Sequence, residues 1–336
     1  MDKILLTGGA GYIGSHIAVA LAGEGYLPIV VDDFSNSSDE TKRGLQTLIP
    51  EICFYEMNVA EAGKLKKVFQ TEKPSGIIHL AAYKYVDRSI QEPLSYYQNN
   101  LASLINVLSL ALEHGLKTFV FSSSCAVYGS VGKIPVSEED PSGNLISPYA
   151  QSKQMGEQIL WDSSVASSCL SGISLRYFNP VGAHPSVEIG ENPLIKPSNI
   201  VPAMMEAAYS QRPMTVYGHD YDTPDGTCIR DYIHVMDLAE AHVAALKWGM
   251  KKTQSSYEIF NCGTGKGTSV QELREVFQDI NQVKVPVRQG SRRPGDIPAL
   301  YASTRKIEEQ MGWKARRSLS DALKTAWCWE KKLRSL

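Results

Sequence analysis

The sequence predicts an α/β protein: a doubly wound parallel sheet followed by a smaller C-terminal α/β lobe. Three observations predict it. Short apolar runs alternate with segments of helical apolar spacing through residues 1–180. A glycine-rich turn joins the first run to the first helix. Beyond Phe178 the alternation loosens and prolines multiply. Strands alternating with helices imply βαβ units with right-handed crossovers, and ligands of such sheets sit at the carboxyl ends of the strands.

The elements follow in order. Residues 3–7 are a short β-branched run, and 14–22 read as a helix. Residues 28–32 and 76–81 are apolar strands. Residues 96–114 carry apolar side chains at helical spacing, closed by Gly115. Then come a strand at 118–122, a helix at 148–163 and a strand at 172–177. Pro180, Pro185, Pro193, Pro197, Pro202, Pro213 and Pro224 break the pattern. Residues 1–180 are therefore expected as a dinucleotide-binding domain and 181–336 as a substrate lobe. Residues 231–248 read as an apolar helix, and 231–262 are expected to pack back on the first domain.

Composition narrows the class. The chain of 336 residues has a net charge of -2, so it lacks the basic excess that a nucleic acid partner needs. No apolar run reaches the ~18 residues of a membrane span. The first residues enter an apolar strand at once, without the layout of a signal peptide, so the expected compartment is the cytoplasm. The six cysteines, Cys53, Cys125, Cys169, Cys228, Cys262 and Cys328, show no metal-ligand spacing; no metal is expected, and most of them are expected to be small buried hydrophobes.

In Thr7-Gly8-Gly9-Ala10-Gly11-Tyr12-Ile13-Gly14 the glycines Gly8, Gly11 and Gly14 fall between a strand and a helix. Such glycines permit a tight turn and close approach of backbone to a pyrophosphate, at a helix N-terminus that favours anions. The next strand ends in Asp32, about 20 residues on, where a carboxylate binds the adenosine ribose diol. Asp33 follows, with no adjacent Arg or Lys to neutralise a 2′-phosphate, which favours NAD over NADP. These features make the first lobe Rossmann-like.

Ser122-Ser123-Ser124 follows a strand, where a hydroxyl points into the ligand crevice. Tyr149 precedes Lys153 by one helical turn, so both share a helix face. An ammonium beside a phenol stabilises the phenolate, and a positive nicotinamide ring adds to the effect. Tyr149 is therefore expected to have a lowered pKa and to act as the acid/base toward a substrate hydroxyl.

With these pieces in place the chain resembles the extended short-chain dehydrogenases/reductases, and among them the UDP-glucose 4-epimerases. The resemblance runs through residues 7–16, 96–100, 121–129, 147–153, 175–185, 230–237 and 292–298. It implies an isomerase that oxidises the 4-hydroxyl of a UDP-hexose, turns the bound 4-keto sugar and reduces its other face, with a tightly bound NAD that is regenerated in each cycle. It implies Tyr149 as acid/base, Ser124 as its assistant, and Lys153 on the nicotinamide ribose. It assigns Gly8, Gly11, Tyr12, Ile13, Gly14, Asp32, Asn36, Ser37, Val59, Leu80, Ala81, Ala82, Lys84, Asn99 and Phe178, with the three catalytic residues, to the NAD site. It assigns Lys84, Ser124, Tyr149, Phe178, Asn179, Asn199, Ile200, Arg230, Arg293, Asp296 and Leu300 to the UDP-sugar. It also implies a homodimer, paired through the apolar faces of 96–114 and 151–162.

Two positions depart from the family pattern. Asn58 stands where an Asp commonly meets the adenine amino group; its carbonyl still accepts that hydrogen bond. Leu300 stands near the hexose where a tyrosine or a small residue is usual, which leaves UDP-N-acetylhexosamines open as further substrates. Rival readings share the fold. A 4,6-dehydratase or nucleotide-sugar decarboxylase wants an acidic residue after the serine strand, and Ser123-Ser124-Cys125-Ala126-Val127-Tyr128 has none. A reductive epimerase wants NADPH and a cysteine acid; Cys125 is near, but Asp32 and Asp33 repel a 2′-phosphate. A non-catalytic NAD or nucleotide-sugar sensor needs neither Tyr149 nor Lys153.

Overall fold

The structure, a computed structural model, describes residues 1–193, 199–293 and 296–335. Pro197, and Pro294 and Gly295 of the 292–298 motif, lie outside the described residues. The first part of the chain runs β1 (Lys3–Thr7), α1 (Tyr12–Gly23), β2 (Leu27–Asp32), α2 (Asp39–Leu48), β3 (Cys53–Glu56), α3 (Ala62–Glu72), β4 (Gly76–His79), α4 (Val86–Gln91), α5 (Pro93–Glu113), β5 (Thr118–Ser124), α6 (Pro148–Ala166) and β6 (Ser171–Tyr177). The rest comprises β7 (Asn179–Val181), α7 (Ile200–Ser210), β8 (Met214–Tyr217), β9 (Ile229–Arg230), β10 (Tyr232–His234), α8 (Val235–Met250), β11 (Ser256–Cys262), β12 (Thr268–Ser269), α9 (Val270–Asn281), β13 (Val287–Gly290), β14 (Ala299–Leu300), α10 (Arg305–Met311) and α11 (Leu319–Ser335).

Seven strands form one parallel sheet in the order β11-β6-β5-β4-β1-β2-β3. Both faces of its centre are covered, which is why the middle strands β1, β2 and β4 are mostly apolar. Successive side chains on a strand point to opposite faces. Leu5, Ile29, Val31, Ile77 and Phe119 pack with Leu65, Phe69, Leu104 and Leu160 of α3, α5 and α6. Ile4, Leu6, Val30, Ile78 and Val120 pack on the other side with Ile17 and Leu21 of α1 and Leu238 and Leu246 of α8. The chain order reverses at β1, which lies between β4 and β2, so a crevice opens beyond the carboxyl ends of β1 and β4.

Two glycines bring α6 close to the sheet. A Cβ on Gly156 would lie 2.5 Å from the Phe121 ring, and one on Gly172 would lie 2.4 Å from Ser164 Oγ. The later chain is mainly helical, with short sheets β10-β7, β12-β9-β14 and β13-β8 between its helices. Met204, Met205, Leu273, Phe277, Leu323 and Trp327 form their core.

The helix expected over 231–248 begins only at Val235. Tyr232–His234 is a strand, β10, paired in parallel with β7. His234 ends it by accepting the Met236 N–H at 3.0 Å, capping α8. The apolar character of Tyr232 and Ile233 reflects burial in a sheet, not a helix face. α8 packs on α1, and β11 pairs with β6 from Ser256↔Ser171 to Cys262↔Tyr177. The cysteines also correct an expectation: only Cys228 and Cys262 are buried, and the other four are half-buried at element edges and on helices.

Candidate active site

One cleft of about 1540 Å³ lies over the carboxyl ends of the strands. Every candidate site residue named from the sequence lines it. At one end is the glycine turn. Gly8 adopts φ +70°, and a Cβ there would stand 2.8 Å from the Ala81 backbone N, so β1 and β4 close together only over a glycine. A Cβ on Gly14 would stand 2.2 Å from Gly8 O, which lets α1 start directly against the turn. A Cβ on Gly11 would meet only Gly8 O, at 3.3 Å, so its bare α-carbon faces the cleft. These three positions fit a pyrophosphate seated on the first turn of α1, beside Tyr12 and Ile13.

Asp32 closes the turn from the next strand. Its carboxylate accepts the N–H groups of Ala10 and Phe34, both at 2.9 Å, and the Ser37 hydroxyl at 3.0 Å. Burial raises its pKa, and these hydrogen bonds pull it back. Asn36 accepts from the Tyr85 hydroxyl at 3.0 Å. Asn58 Oδ1 accepts the Ala60 N–H at 2.8 Å, which fixes the amide beside Val59 with one carbonyl lone pair left over. Leu80, Ala81, Ala82, Lys84 and Asn99 form the opposite wall; Lys84 Nζ stands 3.5 Å from Glu191 Oε1.

The floor carries Ser124, Tyr149 and Lys153. Ser124 is the last residue of β5, and its Oγ accepts the Ala126 N–H at 3.2 Å, starting a 3-10 turn over Cys125–Tyr128. Ser147 caps α6 by accepting the Ala150 N–H, so Tyr149 lies in the first turn and Lys153 one turn further. Lys153 is only 4% exposed and donates to the Ser122 carbonyl at 2.6 Å. Tyr177, the last residue of β6 and the register partner of Ser124, donates its hydroxyl to the Ser122 hydroxyl.

The lowered Tyr149 pKa expected from the sequence is not found. Burial pushes the phenol up to about 12, with the Ser124 hydrogen bond opposing it. Lys153 does not offset this, because its ammonium is drawn to the Ser122 carbonyl, 5.9 Å from the Tyr149 ring centre. Burial also brings Lys153 down to about 7, against the attraction of Glu157, so it is partly neutral near that pH. A phenolate here needs more positive charge than the lysine alone provides. Cys125, beside Ser124, is pushed up to about 12 by burial and carries no thiolate near neutrality.

The other end of the cleft is cationic and aromatic. Arg230 NH1 donates to the carbonyls of Ile229 and Ile297 at 2.8 and 2.9 Å, and its NH2 lies 3.8 Å from Asp296. The Arg293 guanidinium lies 3.9 Å from the centre of the Tyr217 ring. Phe178 and Leu300 are buried together with Val127 and Tyr128, forming an apolar wall next to Asn179. Asn199 and Ile200 line the cleft at the start of α7. Sequence reasoning missed Tyr217, Glu191, Glu157 and Tyr177. Tyr217 and Glu191 carry no local signal, whereas Glu157 continues the spacing of Tyr149 and Lys153 by one more turn.

Residues 4–263 match the model of the NAD dependent epimerase/dehydratase family. The chain is 43% identical over 335 residues to UDP-glucose 4-epimerase of Yersinia enterocolitica, covering 98% of this chain and 97% of that one. It is 42% identical over 332 residues to UDP-glucose 4-epimerase 2 of Arabidopsis thaliana, covering 97% and 94%. Among solved structures it is similar to UDP-glucose-4-epimerase from Stenotrophomonas maltophila with bound NAD and formylated UDP-arabinopyranose. That match has a TM-score of 0.95 and 36% identity, over 100% of this chain and 99% of that one. With its glycine cradle, its tyrosine–lysine floor and relatives matched nearly end to end, the chain belongs to the NAD dependent epimerase/dehydratase family.

Proposed function

We propose that this chain interconverts UDP-glucose and UDP-galactose by inverting carbon 4 of the hexose, with NAD as its resident cofactor. What supports this most is that Tyr149, Ser124 and Lys153 share one floor between a dinucleotide cradle and a pair of arginines.

Tyr149, as phenolate, takes the proton of the sugar 4-hydroxyl and later returns it to the same oxygen. Bound NAD supplies the redox partner for carbon 4 and, through its positive ring, the additional charge that a buried phenolate needs. The Ser124 hydroxyl accepts from Ala126 and has its own proton to donate, to the Tyr149 oxygen before the sugar arrives and to the sugar oxygen afterwards. Lys153, its ammonium on the Ser122 carbonyl, would hold the nicotinamide ribose and add its charge to that of the ring beside Tyr149. Arg230 and Arg293 grip the diphosphate, since guanidinium forks match phosphate oxygens. Phe178 and Leu300 offer the hexose apolar contact, so the 4-keto sugar turns over while UDP remains held. Residues 1–180 form the dinucleotide lobe in this reading and 181–336 the sugar-nucleotide lobe.

A second copy of the chain completes the assembly. The outer faces of α5 and α6 expose Leu94 (80%), Ile105, Leu112, Met155, Trp161 and Val165 (68%). Such apolar faces on adjacent helices suit a two-fold four-helix contact. No helix among the described residues is long and apolar enough to cross a membrane. The cytoplasm, where free thiols persist, is the compartment this reading takes.

The test is direct. Purified chain, denatured, is expected to release NAD, and native chain is expected to convert UDP-galactose to UDP-glucose with no cofactor added. A preparation that carries no dinucleotide and stays inert when NAD is supplied overturns the reading.

A further inference from the structure

Behind the floor of the cleft lies a buried charge cluster that the mechanism above does not use. α6 carries Tyr149, Lys153 and Glu157 at successive turns of one face, and Gly156 lets that face press on Phe121 of β5. Glu157 and Arg176 are each 6% exposed. They form a bidentate pair, Arg176 Nε to Oε1 at 2.8 Å and NH2 to Oε2 at 2.7 Å. Ser123 adds a third donor to Oε1. Ser123 and Arg176 are register partners across β5 and β6, so the sheet itself sets the geometry. Arg176 in turn lies over the Tyr128 ring, whose hydroxyl donates to Asn261 at 2.7 Å.

A fully buried ion pair is weak evidence of stabilisation, because desolvation cancels most of the attraction. The placement suggests another use. We propose that Glu157 is a positioning residue for the reaction, its carboxylate fixed by Arg176 behind the Tyr149–Lys153 pair so that the Lys153 ammonium keeps more of its charge. The proposal rests on the acid/base reading of Tyr149.

The surroundings of Lys153 leave this task to Glu157. On α6 it faces Tyr149 and Glu157, on β5 the Ser122 carbonyl and the Phe121 ring, and on β4 His79. His79 is neutral, its pKa pushed down to about 3 by burial and by Lys153 itself. Glu157 meets Ser123 of β5 and Arg176 of β6, and its charge raises the pKa of the Tyr257 phenol on β11. Burial lowers the lysine, and Glu157 is the charge that opposes it. Arg176 fixes the carboxylate with two hydrogen bonds and prevents it from swinging onto the ammonium as a simple ion pair.

The test compares pH profiles of kcat in NAD-loaded enzyme. Glu157→Gln is expected to keep its NAD and its KM for UDP-galactose. The alkaline limb, where Lys153 loses its proton, is expected to move to lower pH by about one unit. Ser123→Ala, a small change that leaves the carboxylate less compensated, is expected to move the same limb upward by a few tenths of a unit. It serves as the deciding variant where Glu157→Gln does not fold. Limbs unmoved from wild type in the folded variants overturn the proposal. Tyr149→Phe separates the two levels: inactive with NAD retained, it keeps the acid/base reading whatever Glu157 does, whereas an active Tyr149→Phe removes both.

Discussion

The Lys153 ammonium donates to the Ser122 carbonyl at 2.6 Å, so the lysine that α6 aligns with Tyr149 is tied to the strand that ends in Ser124. That bond joins the two elements that carry the floor of the cleft. Lys153→Met keeps much of the apolar stem but loses both the anchor and the charge. Turnover is expected to fall by about 100-fold or more, the range of a lost acid/base system. Steady-state kinetics on NAD-loaded protein measure it, and wild-type kcat in that variant would remove Lys153 from the site.

Gly14→Ala tests the dinucleotide cradle. Its Cβ would stand 2.2 Å from Gly8 O and 2.7 Å from Gly9 Cα, so the start of α1 must move off the turn. A loss of about 1–3 kcal/mol in stability is expected from overpacking, together with depleted NAD. Full NAD occupancy and an unchanged Tm are the contrary result.

Acid is expected to destabilise the fold through buried histidines. Burial pushes His16 and His79 down to about 3 and His242 to about 4. The Nε2 atoms of His16 and His242 meet no hydrogen-bond partner among the described residues, so protonation brings them nothing. The unfolded chain therefore binds more protons below its histidine pKa of about 6.5. Stability is fully present above that value and is lost as pH falls from about 6.5 toward 4, by about 1.4 kcal/mol per pH unit for each histidine. Asp32 and Asp231, raised by burial, offset part of this once they protonate. Urea midpoints at pH 7 and 4.5 measure the slope, and equal midpoints contradict it.

Leu300 is buried against Phe178, Val127 and Tyr128 in the apolar wall of the cleft. Leu300→Ala opens space beside the hexose. Its kcat/KM ratio for UDP-N-acetylglucosamine over UDP-glucose is expected to rise by about tenfold, the worth of a methylene or two in an apolar pocket. An unchanged ratio in folded enzyme would show that this side chain does not meet the N-acetyl group.

Trp161 projects from α6 at 46% exposure. Trp161→Glu sets a charge in the proposed contact between copies, and sedimentation is expected to show monomers where the parent chain forms dimers. A monomeric parent chain would discard the contact altogether.

Much of the site was legible because its signals are local. The spacing of Gly8, Gly11 and Gly14 reflects backbone conformation within one turn, and Tyr149 with Lys153 reflects the pitch of one helix. The carboxyl ends of β1, β2 and β6 were readable because buried strands carry apolar runs, whereas β5 continues two residues past the expected end at 122, through Ser123 and Ser124. β3 was missed: Cys53-Phe54-Tyr55-Glu56 is a short, half-exposed edge strand with little pattern. Tyr232 and Ile233 read as helix in the sequence because a short apolar run serves either structure.

By itself the sequence determined the doubly wound sheet, the nucleotide turn and the tyrosine–lysine pair, each of which depends on residues close together in the chain. Only the tertiary structure decided what surrounds them. The register of β5 on β6 sets Ser123 opposite Arg176, and the packing of α6 brings Glu157 to both. Burial then moves the Tyr149 phenol up and the Lys153 ammonium down, against the expectation from their spacing alone. Desolvation depends on every element packed around a group, and no local pattern of residues carries that information.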